Sequence, residues 1–246
     1  MIPFYKYEAC GNDFIFIPLD YCSKKIITEI CDRHYGVGAD GVIASDIDEF
    51  IYLNKDGSKA KLCGNGLRCF VLHQFNKNKN VLGYIKVGED NYEYKIESIE
   101  PFIVSVKMKE PTYIYEDEID NKVKIIDSGV KHIVLLSEKY VEDKEVRALG
   151  EYYNSLDLFK DGINVNVLEC GEKYICRTFE RGCGLTMACG SGALACFKLL
   201  SDMKMIKDIG MIYFKNGESL LFKKRELYIE MIGSARIVME GNYLNE

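Results

Sequence analysis

The 246-residue chain lacks the features that mark several classes of function. No window reaches 18 consecutive apolar residues, which excludes a membrane-spanning helix. Residues 1–17 carry Lys6, Glu8 and Asp13 and read neither as a signal peptide nor as a span. There is no basic excess: 32 Lys and Arg stand against 38 Asp and Glu, a net charge of −6. That balance argues against a nucleic-acid partner and fits a cytoplasmic protein with a small-molecule partner and no membrane partner. No G-x-x-x-x-G-K-[ST] occurs. Only His34, His73 and His132 are available as imidazoles, and no two of the ten cysteines stand two to four residues apart. No metal site is therefore expected. Without a secretory signal, the cysteines read as reduced thiols, most of them small buried hydrophobes.

What is present describes an ordinary globule of 48% hydrophobic and 28% charged residues, large enough to need no staple. β-rich runs dominate, at residues 14–18, 42–44, 50–53, 82–87, 92–96, 103–107, 124–126, 133–136, 163–167, 174–179, 211–214, 220–222 and 227–231. Helical periodicity is rarer: residues 21–34, a weaker stretch at 141–152, and two amphipathic stretches at 65–77 and 192–204. Many strands with few helices predict an α+β fold. The polar, acidic run 111–120 reads as the crossing between two halves. Gly36-Val37-Gly38-Ala39-Asp40-Gly41 matches G-x-G-x-x-G, but a helix precedes it and a β-rich run follows. It reads as a turn, not as a dinucleotide site.

One pattern occurs twice. Cys63-Gly64-Asn65-Gly66-Leu67 and Cys189-Gly190-Ser191-Gly192-Ala193 lie 126 residues apart, and each opens one of the two amphipathic helices. Two related domains follow, each presenting a cysteine at a helix N-terminus. Such an end leaves N–H groups without intrahelical acceptors and carries about half a positive charge. It holds a carboxylate, and its field lowers a thiol's pKa from about 8.5. The glycines let a ligand approach the backbone. If the domains face each other across a cleft, one thiolate removes a proton from a carbon and the opposite thiol returns one to the other face. Both helix ends then stabilise the charge that develops. That assembly inverts a centre alpha to a carboxylate with no cofactor. It needs a water-free cleft, as two domains hinged near residues 111–120 would provide on closing.

The residues resemble the diaminopimelate epimerase family over most of the chain. The matching segments are Gly11-Asn12-Asp13-Phe14, Asp32-Arg33-His34-Tyr35-Gly36-Val37-Gly38-Ala39-Asp40-Gly41, Asn54-Lys55-Asp56-Gly57-Ser58, Cys63-Gly64-Asn65-Gly66-Leu67-Arg68-Cys69, Glu180-Arg181-Gly182 and Ala188-Cys189-Gly190-Ser191-Gly192, with Gly233-Ser234-Ala235 and Glu240-Gly241 near the end. The resemblance implies two pseudo-symmetric domains, each a mostly antiparallel sheet or barrel around a central helix, with a cleft between them. One is expected to span 1–112 and to take back a closing strand at 235–246; the other spans 113–234. It implies a cofactor-independent, metal-free amino-acid epimerase or racemase, with a homodimer as a candidate assembly. Cys63 and Cys189 become the acid/base pair, with His132 and Glu180 beside them setting their protonation. Gly64, Asn65, Gly190 and Ser191 match the amides that hold the reacting carboxylate. Asn12, Asn54, Asn164 and Arg181 match positions near the substrate.

The sequence departs from the family pattern at four places. The family's G-N-P-H reads Gly129-Val130-Lys131-His132; Leu185 stands for the Glu of E-R-G-x-G-E-T; Glu8 stands for the His that opens H-G-x-G-N-D-F. Losing the asparagine at Val130 removes a hydrogen-bonding group from the part that reads the substrate's far end. The default substrate is LL- or meso-diaminopimelate, for lysine and cell-wall synthesis. The alternative is another polar amino acid such as histidine. Two further classes are an amino-acid binder without turnover and a redox sensor pairing Cys63 with Cys189.

Overall fold

The computed structural model describes residues 1–60, 62–114 and 123–244. It opens on a strand that the β-rich runs above omit, β1 (Ile2–Ala9). Two charges interrupt its apolar pattern, yet the strand forms because both are paired. The Lys6 ammonium meets Asp13 at 2.9 Å and Gly38 O at 2.6 Å, and Glu8 pairs with Arg236 while accepting from Gly11 N at 2.8 Å. Glu8 thereby gains a local role where the family pattern has His. Cys10 and Gly11, both at positive φ, turn the chain into β2 (Asn12–Ile17).

Next come α1 (Lys24–Cys31), β3 (Gly41–Ala44), β4 (Tyr52–Asn54), α2 (Gly64–Asn78), β5 (Leu82–Val87), β6 (Asp90–Ile99) and β7 (Phe102–Lys109). The second series is β8 (Thr112–Ile114), β9 (Lys124–Asp127), β10 (Lys131–Ser137), α3 (Asp143–Asn154), β11 (Asn164–Cys170), β12 (Tyr174–Glu180), β13 (Gly184–Thr186), α4 (Gly190–Asp202), β14 (Ile209–Tyr213), β15 (Ser219–Lys224), β16 (Tyr228–Ser234) and β17 (Arg236–Tyr243). The fold is α+β. No described helix is long and apolar enough to cross a membrane.

The chain divides into two compact units, Met1–Lys107 with Ile232–Glu246, and Met108–Met231. Their topologies repeat. In the first unit the strand order is β17-β1-β2-β3-β4, with β2–β3 parallel and the other pairs antiparallel. In the second it is β8-β9-β10-β11-β12, again with only the third pair, β10–β11, parallel. α1 bridges the parallel pair in one unit and α3 in the other, because a parallel connection needs a crossover. The chain passes between the units within β7 and within β16, the equivalent strands of the two series.

Two expectations change. Part of the run read as a crossing, Thr112–Ile114, is a strand paired to β9; residues 115–120 of that run lie outside the described residues. The helix expected over 21–34 shortens to Lys24–Cys31, since Asp32 is extended and its carboxylate takes the amides of His34 and Tyr35 at 2.7 Å. The G-x-G-x-x-G stretch lies between α1 and β3. A Cβ on Gly36 would stand 2.1 Å from Glu29 O, so this glycine serves close packing against α1.

Candidate active site

Both cysteine-opened helices were expected to be amphipathic, and neither is. In α2 every residue from Gly64 to His73 is buried, and α4 is buried at nearly every position from Gly190 to Leu200. Leu67, Phe70 and Val71 form one apolar face as their spacing predicts, but the opposite face is enclosed as well. Its cost falls on Arg68, which is fully buried. The guanidinium is satisfied by Ser234 O at 3.1 Å, Gly64 O at 3.2 Å, Asn65 Oδ1 at 2.8 Å and Cys10 Sγ at 3.3 Å.

Cys63 is the N-cap of α2 and Cys189 the N-cap of α4. Both are extended, and each sulfur accepts the third helical amide at 3.4 Å, Gly66 N and Gly192 N respectively. The sulfurs therefore do what a capping hydroxyl does, and they sit in the positive end of the helix dipole. Gly66 and Gly192 also make room for the protein's own side chains. A Cβ on Gly66 would stand 3.0 Å from the Phe50 ring, and one on Gly192 would stand 2.3 Å from Asn166 Oδ1. The protein's own side chains fill that space.

Around Cys63 the hydrogen bonds have a defined direction. Asp40 Oδ2 only accepts, so it fixes the Asn12 amide by taking Nδ2 at 2.5 Å. Asn12 Oδ1 is left facing Cys63 Sγ at 3.8 Å and Asn65 Nδ2 at 3.4 Å. Arg33 holds Asp40 at 2.9 Å and Asp13 at 2.7 Å. The sulfur thus has a carbonyl oxygen 3.8 Å away on one side and the Gly66 amide at 3.4 Å on the other.

Around Cys189 a second amide, Asn166, is likewise fixed in orientation. Asn166 Nδ2 donates to Ile133 O at 2.9 Å, which fixes that amide because a carbonyl cannot donate. Its Oδ1 accepts from Thr178 at 2.8 Å. Nδ2 also donates to His132 Nδ1 at 2.9 Å, leaving the imidazole proton on Nε2, which lies 3.0 Å from Ser191 Oγ. Ser191 Oγ is in turn 3.4 Å from Cys189 Sγ. Burial pushes His132 down to about 3, so the ring is neutral near pH 7. For Cys189 the expected lowering by the helix end is overturned. Burial first, then the Glu180 carboxylate, pushes its thiol well above the ordinary range, while Ser191 and Gly192 N pull the other way.

Glu180 is half-buried at the end of β12 and accepts from Thr186 Oγ1 at 2.6 Å. Thus His132, Glu180, Ser191 and Cys189 form one group in the second unit, and Asn12, Asn65 and Cys63 another in the first. Gly64 and Gly190 are the first residues of the two helices. The remaining candidates stand apart from these groups in their recorded bonds. Asn54 bonds Ser58 Oγ at 3.0 Å. Asn164 bridges Lys131 O at 3.1 Å and Arg181 N at 3.0 Å, and the Arg181 guanidinium donates to Asp161 O at 3.2 Å. Asn166 and Asp40 were not singled out in the sequence. The signal for Asn166 was available: Asn164 and Asn166 alternate with Ile163, Val165 and Val167, placing two amides on one strand face.

Comparison with known proteins adds the decisive observation. Residues 4–114 match the family model described as diaminopimelate epimerase. The diaminopimelate epimerase of Caldanaerobacter subterraneus subsp. tengcongensis is 32% identical, over 97% of this chain and 98% of that protein. The chain belongs to the diaminopimelate epimerase family. A Rickettsia akari diaminopimelate epimerase is 34% identical over 100% of this chain and 98% of its own length. Among solved structures, a hydroxyproline epimerase from Agrobacterium vitis with bound trans-4-hydroxy-L-proline superposes with a TM-score of 0.77 at 10% identity, covering 99% of this chain and 90% of that one. A Bacillus anthracis phenazine biosynthesis protein of the PhzF family reaches 0.72 at 14% identity, covering 100% and 99%. These two show a shared fold. As a member of the diaminopimelate epimerase family, the protein is an amino-acid epimerase or racemase, an isomerase.

Proposed function

We propose that the protein inverts Cα of an amino acid by two-base chemistry at Cys63 and Cys189. A thiolate takes the Cα proton, negative charge spreads onto the adjacent carboxylate, and the other thiol protonates the opposite face. Helix-end amides of α2 and α4 stabilise that charge where it develops. The observation that carries this reading is the matched placement of the sulfurs. Each caps a buried helix, each bonds the third helical amide, and their side-chain neighbours differ: the Asn12 carbonyl oxygen at Cys63, the Ser191 hydroxyl at Cys189. A thiolate/thiol couple requires such a difference. His132, through Ser191, and Glu180 tune Cys189; Asn12 and Asn65 tune Cys63.

Diaminopimelate, in its LL and meso forms, is our default substrate, on the strength of the full-length relatives' names. Asn54, Asn164 and Arg181 would hold its distal end. A second reading, another polar amino acid such as histidine, rests on Val130, a half-buried apolar residue in the turn before β10, and on the exposed Lys131 beside it. The test is a panel of amino acids incubated in deuterated water. Exchange at Cα of diaminopimelate is expected; rapid exchange on histidine with none on diaminopimelate would refute the default. Tight binding with no exchange on any amino acid would refute turnover altogether.

A further inference from the structure

The second unit contains a buried amide, Asn166, whose bonding fixes the state of a second residue and, through it, a third. Three facts combine. Asn166 cannot be turned over, because Ile133 O needs a donor and Thr178 Oγ1 supplies one to the other end. The ring of His132 is enclosed, with Asn166 on one nitrogen and Ser191 on the other. Gly192 is the residue that makes room, since any Cβ there would press on Asn166 Oδ1. With Nδ1 occupied by a donor, Nε2 must carry the proton and spend it on Ser191 Oγ. The serine hydroxyl then has its own proton to give, and Cys189 Sγ is the partner in reach.

We propose that Asn166 is a positioning residue: it locks His132 in the Nε2–H tautomer, which aims the Ser191 hydroxyl as a donor at Cys189 and so favours the thiolate of that sulfur. The inference rests on the two-base reading for its kinetic consequence, and on geometry alone for the tautomer. The groups facing Cys189 within this unit are Glu180 and Cys176 from β12, Cys196 from α4, and His132 from β10 through Ser191. Glu180 and burial oppose the thiolate; the serine and the Gly192 amide support it. Removing the serine's donor should therefore raise the sulfur's pKa further.

Nitrogen-15 NMR of histidine-labelled protein reads the tautomer directly, and only three rings need assignment. The expected wild-type spectrum has His132 protonated on Nε2, with Asn166→Ala giving a mixture of tautomers. In kinetics, Ser191→Ala should lower kcat about 10- to 50-fold with KM changed less than about 3-fold, and should move the acid limb of the kcat/KM profile up by about one pH unit. Ser191→Thr, which keeps the hydroxyl, should restore both. A wild-type His132 protonated on Nδ1, or an acid limb unmoved in Ser191→Ala, overturns the proposal. If Asn166→Ala does not fold, the Ser191 pair decides it. If the wild type exchanges no amino acid at all, the two-base reading fails, and the spectrum alone decides the tautomer.

Discussion

The two units place a cysteine at the same point of the same topology and then surround it differently. At Cys63 an amide is anchored by a carboxylate, so its oxygen is turned to the sulfur. At Cys189 an amide is anchored by a carbonyl, so its nitrogen donates to His132 Nδ1, and the ring's Nε2–H faces Ser191 Oγ, which lies 3.4 Å from the sulfur. A duplicated fold supplies two equivalent thiols, but a two-base reaction needs one of them protonated and the other not. Under the proposed mechanism, the different hydrogen-bonding partners around the two copies are what would separate the thiols, with the helix, the cap and the backbone unchanged. The buried histidines show the same divergence. His73 in α2 bonds Tyr7 and Ser45 O and belongs to an aromatic core with Phe16; His132 is tied to the sulfur through Ser191.

The comparison breaks most visibly at the sulfurs themselves. Cys63→Ala and Cys189→Ala should each reduce Cα exchange by about a thousandfold or more while circular dichroism stays unchanged. A large loss in one variant only would point to a single base and end the parallel. A sharper test lies in the pH profile. Asn12→Ala removes the acceptor at Cys63 and should bring the basic limb of kcat/KM down by about half to one pH unit. Ser191→Ala acts on the acid limb instead. Both variants moving the same limb would contradict the proposed difference between the two thiols.

Stability effects come next. Arg68→Met removes the guanidinium's buried hydrogen bonds to Ser234 O, Gly64 O and Asn65 Oδ1, so urea unfolding should show a loss of about 3 kcal/mol. Acid sensitivity follows from the histidines. Burial pushes His73 to about 4 and His132 to about 3, from 6.5. Below pH 6.5 the unfolded chain binds protons that the folded rings refuse, so the urea midpoint should fall as pH drops from 6.5 towards 4. His73→Gln should flatten that slope in part. The smallest effect belongs to Cys69→Ala and Cys196→Ala, both enclosed, at about 1 kcal/mol each with turnover retained. An inactive but folded Cys196→Ala would mean that the wrong thiol has been chosen in the second unit.

Much of this was legible in the chain. The repeated Cys-Gly-x-Gly marked both helix starts to within two residues, because a helix N-terminus is a local event with local chemistry. The runs at 82–87 and 174–179 became β5 and β12 for the same reason: alternation shows in a few residues. β1 was missed because Lys6 and Glu8 look like solvent residues until their partners, Asp13 and Arg236, are known. The helices looked amphipathic because Arg68 and His73 are polar, and only the surrounding strands make such residues internal.

The order of residues thus determined the class of fold, the duplication and the two thiols, since each depends on neighbours in the chain. Tertiary structure decided what surrounds those thiols. Asp40 reaches Asn12 across 28 positions, and Asn166 reaches His132 across 34. The direction of a hydrogen bond depends on which donor and which acceptor are brought face to face, and that is a property of the folded chain alone.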